Sequence, residues 1–419
     1  MKNHLYRILK WSEQYTKTDM LYLARGSFWS STSQVISSIA VFGFAVLVAH
    51  LLPKEVYGQY KYIIATVTFI FAFSLTGIGT AVFQSVARSF DGALSSGFWL
   101  NIRWSIFAFL GAFMFFIYYF SQGNNTLAFG ILIGGSLSPL LMSANLASTF
   151  LTAKKDFARD AIYFGTIETL FSIGCLSIAI LLTQNPLILV AIYFSSNTIA
   201  TLLLYFRIQH VYTPDITRTD PDMENHAKHL SVMNILTMVA GSIDQILLFQ
   251  FVGPVELAIY NFAIAIPDQT KGPLKAFNSM VQAKFVNRTN NEILSGMKNK
   301  MVWIFFASTC FIILYIVLAP YFYTFFFPNY TDAIFYSQIY VISLLALASI
   351  PADMYLVAKK RIRYQYIQNI ILSLFKILSV VIGVMFWGLL GIIIARVASR
   401  LFAGLLSYTL YYISVSRAD

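Results

Sequence analysis

Charged residues are scarce in this chain. Only 11% of its 419 residues are Asp, Glu, Lys or Arg, whereas 58% are hydrophobic. Soluble domains carry roughly 25% charged residues, so a soluble fold of this length could not cover its surface with so few. The mean hydropathy of +0.68 points the same way. The sequence therefore predicts an integral membrane protein whose outer surface faces lipid.

Several signals of chemistry are also missing. The chain has no G-x-x-x-x-G-K-[ST] phosphate loop, and therefore no visible nucleotide-driven motor of its own. No Cys/His cluster suggests a metal site, and no Ser/His/Asp arrangement suggests a hydrolase. Cys175 and Cys310 both fall inside apolar runs, which favours packing residues over a disulfide. His226 and His229 lie three apart in the predicted central loop, where a solvated pair is the simpler interpretation.

Long uncharged runs fill most of the chain. Residues 35–52, VISSIAVFGFAVLVAHLL, are long enough to cross about 30 Å of hydrocarbon at about 1.5 Å per helical residue. The runs are continuous rather than alternating, which predicts helices and not barrel strands. We expect an all-α protein with twelve transmembrane helices, near residues 28–51, 61–83, 98–120, 127–151, 161–183, 187–206, 231–252, 257–282, 301–320, 334–357, 366–387 and 389–412.

The basic residues are unevenly distributed among the connections. If the N-terminus is cytoplasmic, the outer connections hold only Lys54 and Lys61. The inner connections and the termini are rich in Lys and Arg, for example at 154–159, 284–300 and 359–363. This asymmetry follows the positive-inside rule, so both termini are predicted to be cytoplasmic. The net charge of +11 then reflects topology, and nucleic acid is not an expected partner.

Two pairs of similar segments suggest that the chain is a repeat. FLTAKKDF begins at Phe150, and YLVAKKRI begins 205 positions later, at Tyr355. LPKEVYGQY (52–60) follows the first predicted helix, and GPVELAIY (253–260) follows the seventh. We therefore predict two six-helix bundles related by a pseudo-two-fold axis along the membrane normal. The expected divisions are a basic N-terminal segment 1–27, bundles 28–207 and 231–413, a linker 208–230 and a tail 414–419.

Three segments of the chain resemble the oligosaccharide flippases of polysaccharide biosynthesis. They are LPKEVYGQY, TGIGTAVFQSVAR (76–88) and GSIDQILLFQFVGPVELAIYNFAIAI (241–266). These flippases belong to the superfamily that also holds the multidrug-extrusion (MATE) and lipid II flippase proteins. Family members often carry Arg after the Asp of helix seven, whereas here Gln245 follows Asp244.

The resemblance implies a function in the bacterial inner membrane. The protein would move an undecaprenyl-pyrophosphate-linked oligosaccharide, such as an O-antigen repeat unit of lipopolysaccharide, from the cytoplasmic to the outer leaflet by alternating access. Its partners would be this lipid-linked substrate, membrane lipids, and the polysaccharide polymerase and chain-length machinery. No cofactor is expected, and coupling to H⁺ or Na⁺ is left open.

Two other functions have to be weighed. A cation-coupled multidrug antiporter of the same superfamily is the main alternative. Membrane glycan polymerases and ligases resemble one another in a large outer loop with catalytic Arg or His. The longest predicted outer connection here, YFYTFFFPNYTDA (321–333), contains no basic residue and no histidine. An enzyme is therefore not expected.

Five cations in the second half are the predicted anion-binding residues. Arg396 and Arg400 lie four apart, so both project from one helical face. Lys376, Lys271 and Lys275 also fall within predicted helices, where a charge has to face protein or water rather than lipid. Arg offers a planar fork to phosphate oxygens and Lys a point charge, so pyrophosphate is the proposed ligand. A structural charge network that holds the helices together is the alternative.

The acids and the prolines of the predicted helices supply the remaining candidates. Asp244, Asp268 and Glu168 are candidate ion-coupling residues, because a carboxylate inside a membrane helix tends to mark an ion path or an ion pair. Asp268 could also pair with Lys271, which lies three residues on. Pro267, Gly272 and Pro273 interrupt the eighth predicted helix and suggest a hinge that lines a cavity, or a static kink.

Overall fold

The computed structural model describes residues 20–269, 290–359 and 362–416, and it contains no strand within these ranges. Within these ranges the chain forms sixteen α-helices, together with short π and 3₁₀ segments. The helices up to the linker are α1 Met20–Leu51, α2 Lys54–Phe71, α3 Ile78–Ala87, α4 Ala93–Trp104, α5 Ile106–Ser121, α6 Asn125–Ala144, α7 Leu146–Ala153, α8 Phe157–Asp160, α9 Thr169–Leu182 and α10 Pro186–Tyr212, with π-helical turns at Ala161–Glu168.

The remaining helices follow the linker at 213–222. They are α11 Met223–Phe251, α12 Pro254–Gln269, α13 Asn290–Phe326, α14 Ala333–Val341, α15 Ile350–Ala358 and α16 Ile362–Ser416, with 3₁₀ turns at Pro328–Tyr330 and Ile342–Ser349. Backbone packing divides the chain into two compact units. The first unit is Phe28–Ala258, and the second contains the described residues from Ile259 onward.

Nine helical stretches of the described chain are long and apolar enough to cross a membrane. They are Phe28–Leu51, Ala93–Ser121, Asn125–Ala153, Phe157–Leu182, Pro186–Tyr212, Met223–Phe251, Asn299–Phe326, Ala333–Ala358 and Arg363–Val415. Large apolar side chains such as Leu182 and Trp303 are 81% and 76% exposed on them. A lipid-facing surface explains this exposure, and the protein is a multi-pass membrane protein.

The prediction of twelve helices differs from these nine at three places. The predicted second helix, 61–83, begins earlier, at Lys54, and is interrupted between Phe71 and Ile78. The predicted eighth helix begins at Pro254 and is described as far as Gln269, and its remaining predicted residues lie outside the described ranges. The predicted eleventh and twelfth helices correspond to the two arms of α16, which the non-helical backbone of Gly388 separates, so this stretch counts once among the nine although it contains both. The number twelve therefore stays a prediction.

The bend in α16 depends on a glycine. Gly388 has φ 54° and ψ −127°, a combination that side-chain-bearing residues rarely adopt. On either side of the bend Gly383 and Gly391 approach each other so closely that a Cβ on Gly391 would lie 1.9 Å from the carbonyl oxygen of Gly383. The two arms of α16 therefore contact through bare backbone next to the bend.

The central linker is shorter than the sequence suggested. We predicted residues 208–230, but α10 continues to Tyr212 and α11 starts at Met223. His226 and His229 consequently lie in a helix and not in a loop. Polar residues in the first turns of α11 caused this error, because only the apolar part of the helix gives a hydropathy signal.

The repeated segments make the same contact in both units. Phe150, in FLTAKKDF, packs edge-to-face on Tyr212 with ring centroids 5.5 Å apart. Tyr355, the aromatic residue at the same place in YLVAKKRI, packs edge-to-face on Tyr411 at 5.0 Å. Phe150 and Tyr355 are both fully buried. The sequence repeat therefore corresponds to a repeat of local packing within each unit.

Candidate functional site

Two arginines of α16 gather around one tyrosine ring in the second unit. The guanidinium carbon of Arg400 lies 4.6 Å from the ring centroid of Tyr340, and that of Arg396 lies 5.8 Å from it. Positive charge over an aromatic face is attracted by the ring quadrupole. The helical spacing of four residues, which the sequence analysis used, thus brings both cations to one place, as expected.

Arg400 forms an ion pair with Asp268 of α12. Its Nη2 lies 2.6 Å from Asp268 Oδ1, and its Nη1 donates to Ser343 Oγ at 2.8 Å. The hydroxyl of Tyr340 donates to the same Asp268 oxygen at 2.9 Å. The side chains of Arg400 and Asp268 are 22% and 26% exposed. The pair is therefore partly desolvated, and it joins α12 and α16 to the α14 region.

Arg396 makes its contacts with tyrosines. Its Nη1 donates to the hydroxyl of Tyr260 at 2.6 Å, and its guanidinium carbon lies 5.6 Å from the Tyr260 ring centroid. Tyr260 and Tyr340 are fully buried, while Arg396 is partly exposed. We call Arg396, Arg400, Asp268, Tyr260 and Tyr340 the arginine cluster. Its side chains hold two guanidinium groups and one carboxylate, so its formal charge is positive.

Of the other three predicted cations, Lys376 is the one that lies within the described residues. Lys376 is partly buried in α16, one turn before Ser379, whose Oγ lies 3.2 Å from Ser399 Oγ on the other arm of the helix. Lys271 and Lys275 lie outside the described residues, so the suggested pairing of Asp268 with Lys271 stays a prediction. Arg400 is the partner of Asp268 that the structure describes.

The predicted hinge is described only at its first residue. Pro267 is buried within α12, directly before Asp268. Gly272 and Pro273 lie outside the described residues. A proline here weakens the helical hydrogen bonding next to the residue that binds Arg400. The hinge hypothesis stays a prediction.

The other two candidate acids lie in the first unit. Asp244 is fully buried in α11, and its Oδ1 accepts from the backbone N–H of Gln245 at 3.0 Å. Glu168 ends the π-helical turns and accepts from Thr201 of α10 at 2.9 Å. Wide π turns recur at functional sites, and here they displace Glu168 from regular helical register. Both acids belong to the first unit, whereas the arginine cluster belongs to the second.

The first unit also has a cation inside a helix. Lys61 was expected at the start of the second helix, but α2 begins after Pro53, so Lys61 lies two turns inside it. Its Nζ lies 5.5 Å from the ring centroid of Tyr57. Next to it, Tyr60 packs edge-to-face on Tyr193 of α10 at 6.0 Å.

The contact of Tyr60 in the first unit corresponds to the contact of Tyr260 in the arginine cluster, because the two tyrosines end similar segments. Tyr60 and Tyr260 end the two similar segments LPKEVYGQY and GPVELAIY. Tyr60 contacts Tyr193, in the last helix before the linker, whereas Tyr260 contacts Arg396, in the last helix of the chain. The paired segments could therefore have pointed to Tyr260 from the sequence. Nothing in the sequence marks Tyr340 or Ser343, which the analysis missed.

The linker is fixed to the first unit by Asp220. The carboxylate accepts from Ser85 Oγ at 2.6 Å and pairs with Arg88 Nη2 at 2.5 Å. Burial by itself raises the pKa of Asp220, but the bonds from Ser85 and from the Asp222 backbone N–H, with the Arg88 charge, outweigh it. The pKa of Asp220 therefore lies below its usual value.

The described ranges contain no group of three His, Cys, Asp or Glu side chains that could hold a metal ion. The arginine cluster carries a net positive formal charge within predicted membrane helices. Its chemistry suits binding of an anion, and none of its groups is arranged as a nucleophile with a general base.

Comparisons with known proteins give a family and a fold. A family model for "Polysaccharide biosynthesis protein" matches residues 23–267, more than half of the chain. No curated protein sequence matches the chain. The fold is similar to a structure of the inward-facing conformation of a multidrug resistance MATE family transporter of the MOP superfamily, with a TM-score of 0.69 and 12% identity over 91% of this chain and 95% of that chain.

Two further structures show the same likeness. The outward-facing conformation of a multidrug resistance MATE family transporter gives a TM-score of 0.59 and 13% identity over 94% of this chain and 96% of that chain. A MOP superfamily transporter from Pyrococcus furiosus, reported with a binding pocket of reversed polarity, gives 0.56 and 14% identity over 94% and 95%. Identities this low establish a shared fold and nothing finer.

Proposed function

Because the chain belongs to the polysaccharide biosynthesis protein family, with the fold of MOP superfamily transporters, we propose that it is a flippase for a lipid-linked oligosaccharide. The substrate is an undecaprenyl-pyrophosphate-linked repeat unit of a surface polysaccharide, such as O-antigen. It moves from the cytoplasmic to the outer leaflet of the bacterial inner membrane, for use by the polymerase and chain-length machinery. The protein acts as a transporter and not as an enzyme.

The proposed architecture follows the repeat in the sequence. Two six-helix bundles, related by a pseudo-two-fold axis along the membrane normal, alternate access to the two leaflets. Both termini are cytoplasmic, because the basic connections fall on that side. Pro267, Gly272 and Pro273 serve as the hinge of the eighth helix.

The arginine cluster is the proposed binding site for the pyrophosphate. The observation that supports this role is the convergence of Arg396 and Arg400 on Tyr340. Asp268 of α12 contributes the carboxylate, which pairs with Arg400 of α16. A diphosphate carries more negative charge than one carboxylate and offers several acceptor oxygens to the guanidinium forks. Lys376, Lys271 and Lys275 add positive charge from the same half.

The ion pair also supports the structural alternative. Arg400 already holds Asp268 and Ser343, so a charge network joining helices accounts for part of its role. Asp268 keeps its partner Arg400 when Arg396 is replaced, so the charge of Arg396 can be removed without leaving the Asp268 carboxylate uncompensated. Arg396 is therefore the better probe of anion binding.

Purified protein in vesicles tests the proposal directly. A labelled undecaprenyl-pyrophosphate oligosaccharide should become accessible on the opposite leaflet, measured with a membrane-impermeant sugar-oxidising reagent. Arg396→Ala should lose most of this movement at normal protein levels. Arg363→Ala is the matched control, because Arg363 is exposed at the start of the same helix. Full activity of an Arg396→Ala, Arg400→Ala double variant would rule out the anion-binding role.

The main alternative is a cation-coupled multidrug antiporter, which the fold likeness to MATE transporters supports. The same vesicles distinguish the two functions. Ion-driven uptake of a cationic dye without movement of the lipid-linked glycan would favour the antiporter. Accumulation of the lipid-linked repeat unit on the inner leaflet of a deletion strain would favour the flippase. Asp244, Asp268 and Glu168 stay candidates for the coupling site, and Glu168 is favoured because its described partner, Thr201, is neutral.

A further inference from the structure

Each repeat contains a partly buried carboxyl group whose hydrogen-bond partners are neutral. Asp353 lies in α15 of the second unit, five residues before the helix ends at Ala358. Asp160 ends α8 of the first unit and leads into the π-helical turns. Both are partly buried within stretches long and apolar enough to span a membrane. A carboxylate in such a place is costly, so its partners decide its protonation state.

The partners of Asp353 are neutral. Gln368 Nε2 donates to Asp353 Oδ1 at 2.9 Å and to Ser407 Oγ at 2.8 Å. Ser407 in turn donates to the carbonyl oxygen of Ala403 at 2.7 Å. The packed helices also bring the phenols of Tyr364 and Tyr411 into the surrounding apolar cluster.

Three described cations lie on the helices around Asp353, and the hydrogen bond of its carboxyl group does not come from any of them. They are Lys300 of α13, Lys359 just beyond α15, and Arg363 of α16. The hydrogen bond that the Asp353 carboxyl accepts comes from the neutral Gln368 amide, which also donates to the Ser407 hydroxyl. Asp268 differs in this respect, because Arg400 compensates its charge.

Asp160 has an equivalent environment in the first unit. Ser148 Oγ donates to its Oδ1 at 2.5 Å, and Thr152 Oγ1 lies 3.4 Å from its Oδ2. The charged groups that face it are the acids Asp156 and Glu168, which repel a negative charge. Arg159, next in sequence, is directed to Asp156 and Tyr212.

The two carboxyl groups lie at the same junction of each repeat but not at equivalent positions. Adding the 205-residue offset to Ser148 gives Asp353, whereas adding it to Asp160 gives Gln365. In each case the hydrogen bond of the carboxyl group joins the helix that ends in Ala-Lys-Lys to the helix that follows. Each repeat thus carries one acid at this junction, near the basic end of its helices.

We propose that Asp160 and Asp353, one in each repeat, are proton-binding sites, each taking one proton from water at the basic end of the helices to form a neutral carboxylic acid. Sodium fits less well, because a metal ion needs converging oxygen lone pairs. Here Gln368 and Ser148 direct N–H and O–H groups at the carboxyl oxygens. A role of these proton sites in driving transport rests on the proposed function.

Labelling with an apolar carbodiimide tests the proton sites without any transport assay, because the reagent modifies protonated carboxyl groups in apolar surroundings. Full-length protein in vesicles should be labelled at Asp160 and Asp353, as located by mass spectrometry of peptides. The labelled fraction of each should fall about tenfold for each pH unit above its midpoint, as for one ionising group. Asp353→Asn and Asp160→Asn should each remove one label and leave the other, and Asp268, which is paired, should stay unlabelled.

The outcomes separate this inference from the proposed function. Protection of both residues by Na⁺ and not by K⁺ at constant pH would identify a sodium site and overturn the proton assignment. Absence of labelling across the pH range would also overturn it, even if the vesicles move glycan. Labelling as expected in vesicles that move no glycan would support the proton sites and refute the flippase. If both hold, Asp353→Asn should flatten the pH dependence of transport, whereas Asp222→Asn, an exposed acid of the linker, should not.

Discussion

The ion pair between Asp268 and Arg400 should contribute about 2 kcal/mol to the stability of the second unit. Removing one partner of a fully buried pair costs about 3–5 kcal/mol, because a charge is left uncompensated. A fully exposed pair contributes about 0.2–1 kcal/mol. With side chains 26% and 22% exposed and a 2.6 Å contact, this pair lies between the two cases.

A double-mutant cycle of Asp268→Asn, Arg400→Met and the combined variant measures this interaction. Each kcal/mol shifts Tm by about 2–4 °C for a unit of this size, so each single variant should lower Tm by about 4–8 °C. The double variant should lose little more than either single variant, because the interaction is removed only once. Thermal unfolding of the purified protein in detergent gives these values.

The control is an exposed ion pair of the same chain. Glu224 and Lys228 lie 2.8 Å apart in α11, and both side chains are 41% exposed. The corresponding cycle should give a coupling of about 0.3–0.5 kcal/mol. If the coupling of Asp268 with Arg400 is no larger, the pair does not join the helices, and the argument from its burial is wrong.

Three further predictions concern the backbone and the linker. Gly58→Ala should destabilise the first unit by about 1–3 kcal/mol, because the new Cβ would lie 1.9 Å from the Pro254 carbonyl oxygen, whereas Gly43→Ala, with open space around it, should be neutral in thermal unfolding. Gly388→Ala should cost about 1–3 kcal/mol through its positive φ and lower the yield of folded protein in size-exclusion chromatography. Because the folded pKa of Asp220 is lowered, its contribution is present above the usual value of about 3.9 and is lost as the pH falls through the folded pKa. Proteolysis of the linker should therefore accelerate over that range, and Asp220→Asn should show rapid cleavage at neutral pH without the acid step.

The sequence alone determined the class of the protein and much of its local chemistry. Continuous apolar runs cannot form a soluble surface, so composition was enough to identify a helical membrane protein. The spacing of Arg396 and Arg400 placed both on one helical face, since the period of a helix is fixed by backbone geometry. The repeat was also visible in the sequence, because Phe150 and Tyr355 fill equivalent buried positions and are both large aromatic residues.

Helix ends and partners were decided by tertiary structure. Polar residues extend α2 and α11 beyond their apolar parts, and hydropathy cannot detect such turns. The structure shows Arg400, 132 positions away, as a partner of Asp268, and no sequence pattern pointed to that pair. Asp353 was passed over because its significance lies in Gln368 and Ser407, neutral residues of another helix. Hydrogen bonds and ion pairs between helices depend on which faces meet, and only the packed structure determines that.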